Sequence, residues 1–181
     1  EKLAFIMPGT GYTAQAPLLH YATGLYIRKE FDVVQLKYDY PADVFKNMGN
    51  EEFAEEVKAV VDYYVNQIEY KEVVFVAKSI STIALAFLEV DEIPSRHIWL
   101  MPLIHNDAVF KQMLKTQKKG LVIIGDQDPC YVKERFDELA TNELLTTHLI
   151  KDTNHALEYT NDIIGSIDVL KNVVTLMDDF E

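Results

Sequence analysis

The sequence predicts an α/β fold, a parallel sheet with helices on both faces, on three observations. Strand-like and helix-like segments alternate along the whole chain. The run Leu121-Val122-Ile123-Ile124 has no polar alternation, as expected of a strand buried on both faces. The residues able to do chemistry cluster in loops that follow strands, and the carboxyl ends of strands are where such a sheet binds its ligand.

The elements follow in order. Leu3-Ala4-Phe5-Ile6-Met7 reads as a buried strand stopped by Pro8-Gly9-Thr10-Gly11. A helix is expected from about Ala14 to Arg28, with Leu18, Leu19, Ala22, Leu25 and Tyr26 inward. Asp32 to Lys37 is the second strand. The clearest helix places Phe53, Val57, Val60, Val61, Tyr64 and Ile68 at helical spacing, with Asn50 as its N-cap and Glu51 and Glu52 at the positive end of its dipole. Val73 to Ala77 is the third strand, and Ile80, Ile83, Ala84, Phe87 and Leu88 mark the helix after it. His97 to Met101 is the fourth strand, stopped by Pro102, and a helix is expected around Asp107 to Gln117. Gly125-Asp126-Gln127-Asp128-Pro129 leaves the fifth strand, before a helix from about Tyr131 to Thr141. Thr146 to Ile150 reads as a sixth, edge strand with Lys151 to His155 as its exit loop. A last helix, from about Ala156, is expected to turn Ile163, Ile167, Leu170 and Val174 inward, and the acidic tail from Asp178 is expected to fray. With 181 residues, no linker and no repeat, one domain over residues 1–181 is expected.

The net charge of −12 argues against nucleic acid or an anionic membrane surface as a partner, since both require a basic patch. The single cysteine, Cys130, has no internal disulfide partner, which fits a reducing compartment. No stretch reaches the length of a membrane span, and no basic segment followed by an apolar one opens the chain. A cytoplasmic protein is expected, although a chain opening at Glu1 leaves the native start open.

Ser79 lies at the turn from the third strand into its helix, with the small residues Ala77 and Ser81 two positions either side. Such a turn lifts the hydroxyl clear of the sheet and sets the positive end of a helix beneath it. By itself this is also what a serine N-cap looks like. A serine nucleophile needs a base, and the base needs an orienting partner. Of the five histidines, His20 lies within a helix, His97 opens a strand at the wrong edge and His148 lies inside a strand. His105 follows the fourth strand but has nothing nearby to fix its ring. His155, in the exit loop of the last strand, is the best placed. Asp126 and Asp128 both qualify as the acid. Asp128 sits where the chain has turned over the sheet edge, whereas Asp126 suits bonding to loop amides, and either could instead cap the following helix. The N–H groups of Thr10 and Ile80 are candidate donors to an oxyanion; losing one such donor costs about 3–4 kcal/mol. Pro8-Gly9-Thr10-Gly11 could also be a plain glycine turn, and it lacks the spacing of a nucleotide-phosphate loop.

With these residues in order, the chain resembles a small α/β-hydrolase without a lid. That family's nucleophile elbow is Gly-x-Ser-x-Gly, followed by an acid and then a histidine. Here the series is Ala77-Lys78-Ser79-Ile80-Ser81, then Gly125-Asp126-Gln127-Asp128, then Asn154-His155. Both elbow glycines are replaced, and Pro8 stands where the family's oxyanion loop often carries histidine. The resemblance covers nearly the whole chain. It implies a three-layer α/β/α sandwich with a six-stranded, mostly parallel sheet of order 2-1-3-4-5-6, and a carboxylesterase-like serine hydrolase using Ser79, Asp128 and His155 without cofactor or metal. The substrate expected is a small ester or related acyl compound. Tyr12, Lys78, Leu103 and Tyr131 are candidate pocket residues, together with Met101 and Ile104, although Met101 and Leu103 also suit core or rim packing. Lys78 is expected to point into solvent unless it meets an anionic substrate group. The other-class alternative is a catalytically silent binding module on the same fold. A metal hydrolase using Asp126, Asp128 and His155 lacks a histidine pair at ligand spacing, and Cys130 lies away from any elbow. Substrate chain length, ester against amide or thioester, and oligomeric state are left open.

Overall fold

The computed structural model describes residues 1–181, the side chain of Ala42 excepted. Its six strands are β1 (Lys2–Met7), β2 (Asp32–Gln35), β3 (Glu72–Lys78), β4 (Ser95–Leu100), β5 (Gly120–Gly125) and β6 (Leu145–Ile150). They form one sheet of order β2-β1-β3-β4-β5-β6. Every neighbouring pair is parallel. Strand order reverses between β1 and β3, so the loops leaving these two strands open a crevice at the carboxyl edge.

Alternation along each strand divides the interior into two cores. On one face Phe5, Phe75, Ala77, Trp99 and Val122 pack with α3 (Asn50–Val65), α4 (Ser81–Phe87), α5 (Asp107–Leu114) and α6 (Lys133–Leu139). On the other Ile6, Val74, Val76, Ile98 and Ile123 pack with α1 (Pro17–Arg28) and α7 (Ile163–Asp179). The result is three layers, and the inner runs Val73–Ala77 of β3 and Leu121–Ile124 of β5 are apolar throughout because both faces of the sheet are covered there. Each fully buried large side chain contributes about 1.5–3 kcal/mol. No helix is long and apolar enough to cross a membrane.

Several expected features shift. A short helix α2 (Ala42–Asn47) lies in the β2–α3 connection, where the sequence shows no periodicity to announce it. Gly49, with extended backbone, caps α3, and Asn50 is already helical. In α3 the buried residues are Phe53, Ala54, Val57 and Val61, whereas Val60 is exposed and Ile68 lies beyond the helix end. The last helix starts at Ile163, with Asp162 accepting from the Gly165 N–H at 2.8 Å as its N-cap. Its inward stripe is Ser166, Val169, Val173 and Met177. Ile163 and Ile167, expected inside, are 68% and 56% exposed. The helix carries two apolar stripes, and α1 docks against the one that continues to its C-terminus. Nor does the tail fray: α7 runs to Asp179, and the buried Phe180 packs beneath the Arg96 guanidinium and the Lys119 ammonium.

Candidate active site

The turn out of β3 is tight. Ser79 takes φ 53°, in the left-handed region that a residue with a β-carbon enters only under constraint. Its N–H stays bonded to the Leu100 carbonyl of β4 at 3.0 Å, and its carbonyl accepts from the N–H and the hydroxyl of Thr82 at 2.8 and 2.6 Å. The side chain is thereby pushed above the sheet edge. Ala77 is buried in the core beneath. Ser81 does more than fit: its hydroxyl donates to the Pro8 carbonyl at 2.5 Å and lies 2.6 Å from the Tyr38 hydroxyl.

Two further loops arrive at the same point. In the loop leaving β5, the Asp128 side chain is fully buried. Its Oδ1 accepts from the Cys130 N–H at 2.8 Å, and its Oδ2 lies 2.7 Å from His155 Nδ1. The carboxylate therefore holds the proton on Nδ1 and leaves the Nε2 lone pair free. That nitrogen lies 2.7 Å from Ser79 Oγ. The His155 side chain remains 37% exposed, so one edge of the ring faces the crevice. Asn154 shapes the histidine loop, its side-chain oxygen accepting from the N–H groups of Ala156 and Glu158 at 2.9 and 3.2 Å. Gly125 lets the two loops meet, since a β-carbon there would collide with the Thr153 carbonyl and hydroxyl oxygens. Asp126 turns away and accepts from the Asp152 N–H at 2.7 Å.

After β1, Gly9 and Tyr12 pair across a tight turn that has Thr10 and Gly11 at its tip. Gly9 sits so close to the elbow that an added β-carbon would lie 3.5 Å from Ser79 Cβ. Among the described residues, neither the Thr10 nor the Ile80 N–H donates to another protein group.

Neither a family model nor a curated protein sequence matches the chain. Solved structures do. An α-β serine hydrolase homologue from Coxiella burnetii superposes with a TM-score of 0.70 at 12% identity, over 98% of this chain and 83% of that one. Est1E from Butyrivibrio proteoclasticus, with ferulic acid bound, gives 0.73 at 14% identity over 99% and 89%. XC6422 from Xanthomonas campestris, described as an α/β serine hydrolase without lid, gives 0.67 at 16% identity over 97% and 82%. The chain has the α/β-hydrolase fold.

Within that hydrolase fold the remaining expected site residues fall in different places. Tyr12 accepts from the Leu18 N–H at 2.9 Å, and burial pushes its phenol up to about 12. Leu103 packs against the core and donates its N–H to Thr82 at 3.2 Å. Tyr131 packs edge-on against Phe136. Met101 and Ile104 are wholly buried. Lys78 does not reach solvent: it is 3% exposed, with its ammonium 4.4 Å from the centre of the Tyr12 ring. Cys130 lies beside the acid, and an oxygen of Asp128, a ring nitrogen of His155 and its Sγ fall within 4.8 Å of one another. Burial and the Asp128 charge push the thiol up to about 12, which keeps it protonated and a poor nucleophile. The Asp128 carboxylate and the His155 ring are bonded to each other, and Cys130 is tied to that carboxylate through its backbone N–H.

The sequence reading missed the space beside the Gly9–Tyr12 turn. A cavity of about 310 Å³ opens against Pro8, Gly9 and Thr10, walled by Leu36, Tyr38, Tyr40 and Phe45. Leu36 directly follows the second strand, Tyr38 and Tyr40 lie in the connection leading into α2, and Phe45 lies within α2. Their clustering (Tyr38, Tyr40 and Phe45 within eight positions) was the available signal.

Proposed function

We propose that the chain is a serine hydrolase that cleaves a small ester by two-step acyl transfer, with residues 1–181 as one catalytic domain. The observation that carries this reading is the unbroken series from Ser79 Oγ through the His155 ring to the buried Asp128 carboxylate, at 2.7 Å on each side of the ring. His155 Nε2 takes the Ser79 hydroxyl proton as Oγ attacks the carbonyl carbon. The Thr10 and Ile80 N–H groups receive the oxyanion, each worth about 3–4 kcal/mol to the transition state. His155 then passes the proton to the leaving alkoxide, and a water deprotonated by the same nitrogen releases the acyl group. Asp128 holds the imidazolium throughout.

The cavity beside Thr10 supports an acyl or aryl group of modest size, and its aromatic walls favour a flat one. Est1E holds ferulic acid, an aryl acid, so aryl-acid esters belong with short-chain esters among the substrates proposed here. A cytoplasmic location is part of this reading, supported by the single cysteine.

The test is a fluorophosphonate probe together with p-nitrophenyl esters of increasing chain length. Labelling at Ser79 is expected, with turnover highest for short esters. Ser79→Ala should lower kcat by about 10⁶. Turnover that survives this substitution excludes the mechanism. A folded protein that takes no label is instead the silent binding module.

A further inference from the structure

Lys78 is the residue whose placement the chemistry above leaves unused. A lysine immediately before the nucleophile ends a strand at the sheet edge, where its chain could extend into water. Here it folds inward on the α1/α7 side, among groups from three loops. Its ammonium sits over the Tyr12 ring at 4.4 Å and donates a long hydrogen bond to the His155 carbonyl at 3.4 Å. It also lies 3.6 Å from the point a β-carbon on Gly9 would occupy, a point 3.5 Å from Ser79 Cβ. Among the described residues it has no ion-pair partner. A cation buried without one is costly and is kept only where the surroundings hold it.

We propose that Lys78 is a positioning residue, whose ammonium ties the Gly9–Tyr12 turn to the histidine loop and adds positive charge beside the nucleophile. The inference rests on the hydrolase reading above. The two loops carry complementary parts of the machinery: Thr10, an oxyanion donor, on one and His155 on the other. Among the described residues no hydrogen bond joins these two loops directly. In this water-poor site the charge acts on the oxyanion and on Asp128 with little screening.

The groups around the ammonium are Tyr12 from the β1 loop, Asp128 and Cys130 from the β5 loop and the His155 carbonyl from the β6 loop, where Glu158 adds a negative charge felt by Tyr12. Burial brings Lys78 down to about 8, against the pull of the Asp128 charge. The clamp is therefore charged near neutrality and is released as pH rises through that value.

The experiment compares wild type with Lys78→Met, which keeps length and removes charge. In wild type, kcat/KM for p-nitrophenyl butyrate should fall as pH rises through about 8. In the variant that fall should be absent, with kcat near neutrality about tenfold lower and KM within about twofold. The ring signals of His155, followed by NMR in wild type, should show a step near pH 8, lost in Lys78→Met. A folded variant with the wild-type profile overturns the proposal. If the variant does not fold, the wild-type spectrum decides alone, and a ring signal flat through that range overturns it. Failure of the hydrolase reading shows separately, as absence of fluorophosphonate label on wild-type Ser79.

Discussion

Ser79 is one of five residues other than glycine with positive φ. Ser79, Met101, Asp152 and Leu157 all lie in loops leaving β3, β4 and β6, on the edge where the proposed chemistry sits. Each such conformation costs about 1–3 kcal/mol and persists because neighbouring bonds over-determine it. Ser81 supplies some of that constraint. Ser81→Gly would restore the residue usual at this elbow position, yet it should destabilise the protein by about 1–3 kcal/mol, because it strips a donor from the Pro8 carbonyl and a partner from Tyr38. Urea unfolding checks this, and a variant as stable as wild type would show that the two bonds contribute nothing.

Among the elements, β4 carries a pH-dependent term. His97 is buried on its core face, with Nε2 3.2 Å from the Ser95 hydroxyl and Nδ1 without a protein partner. Burial, helped by the Lys118 charge, brings it down from 6.5 to about 3. The folded state thus holds the ring neutral, while the unfolded chain binds a proton below 6.5. Stability from this group is complete above that value and is lost as pH falls toward the folded one. Urea midpoints should drop by the equivalent of about 2 kcal/mol between near pH 7 and about pH 5. His97→Gln should flatten that slope; an unchanged slope would mean that other groups carry it. The same scale shows what could be read in advance. The strands were legible because short β-branched runs between turn residues have few alternatives. The inward face of α7 was not. Ile163, Ile167, Leu170 and Val174 make an apolar stripe beside Ser166, Val169, Val173 and Met177, and contact with α1 rotates the helix so that Leu170 and Val174 are half-buried against the core while Ile163 and Ile167 stay outside. The residues Ser79, Asp128 and His155 could be picked from strand-exit positions, but Lys78 could not be placed, since a long side chain at a strand end has two directions open to it.

For the whole molecule, the charge of −12 should act through the field at the crevice mouth. Anionic esters should be disfavoured at low salt, and their kcat/KM should rise with ionic strength while that of a neutral ester stays level. Stopped-time assays with a matched pair of esters, one bearing a carboxylate, test this. Equal salt responses would mean that the local field of Lys78 offsets the total, and a fall with salt that it outweighs it. The sheet's topology matters at this scale too. Because β1 and β3 lie side by side at the reversal, their exit loops can supply both proposed oxyanion donors.

The sequence by itself determined the alternation of strand and helix, the parallel sheet and the positions at strand ends where chemistry could sit. These follow from local apolar periodicity and turn residues, which act over a few positions. Only the tertiary structure decided how 76 positions of chain between Ser79 and His155 close to a 2.7 Å contact. It also decided which stripe of α7 is buried, where the aromatic cavity opens and that Lys78 turns inward. Those outcomes depend on which surfaces meet across the sheet, and residues distant in sequence carry no local mark of the neighbours they will find.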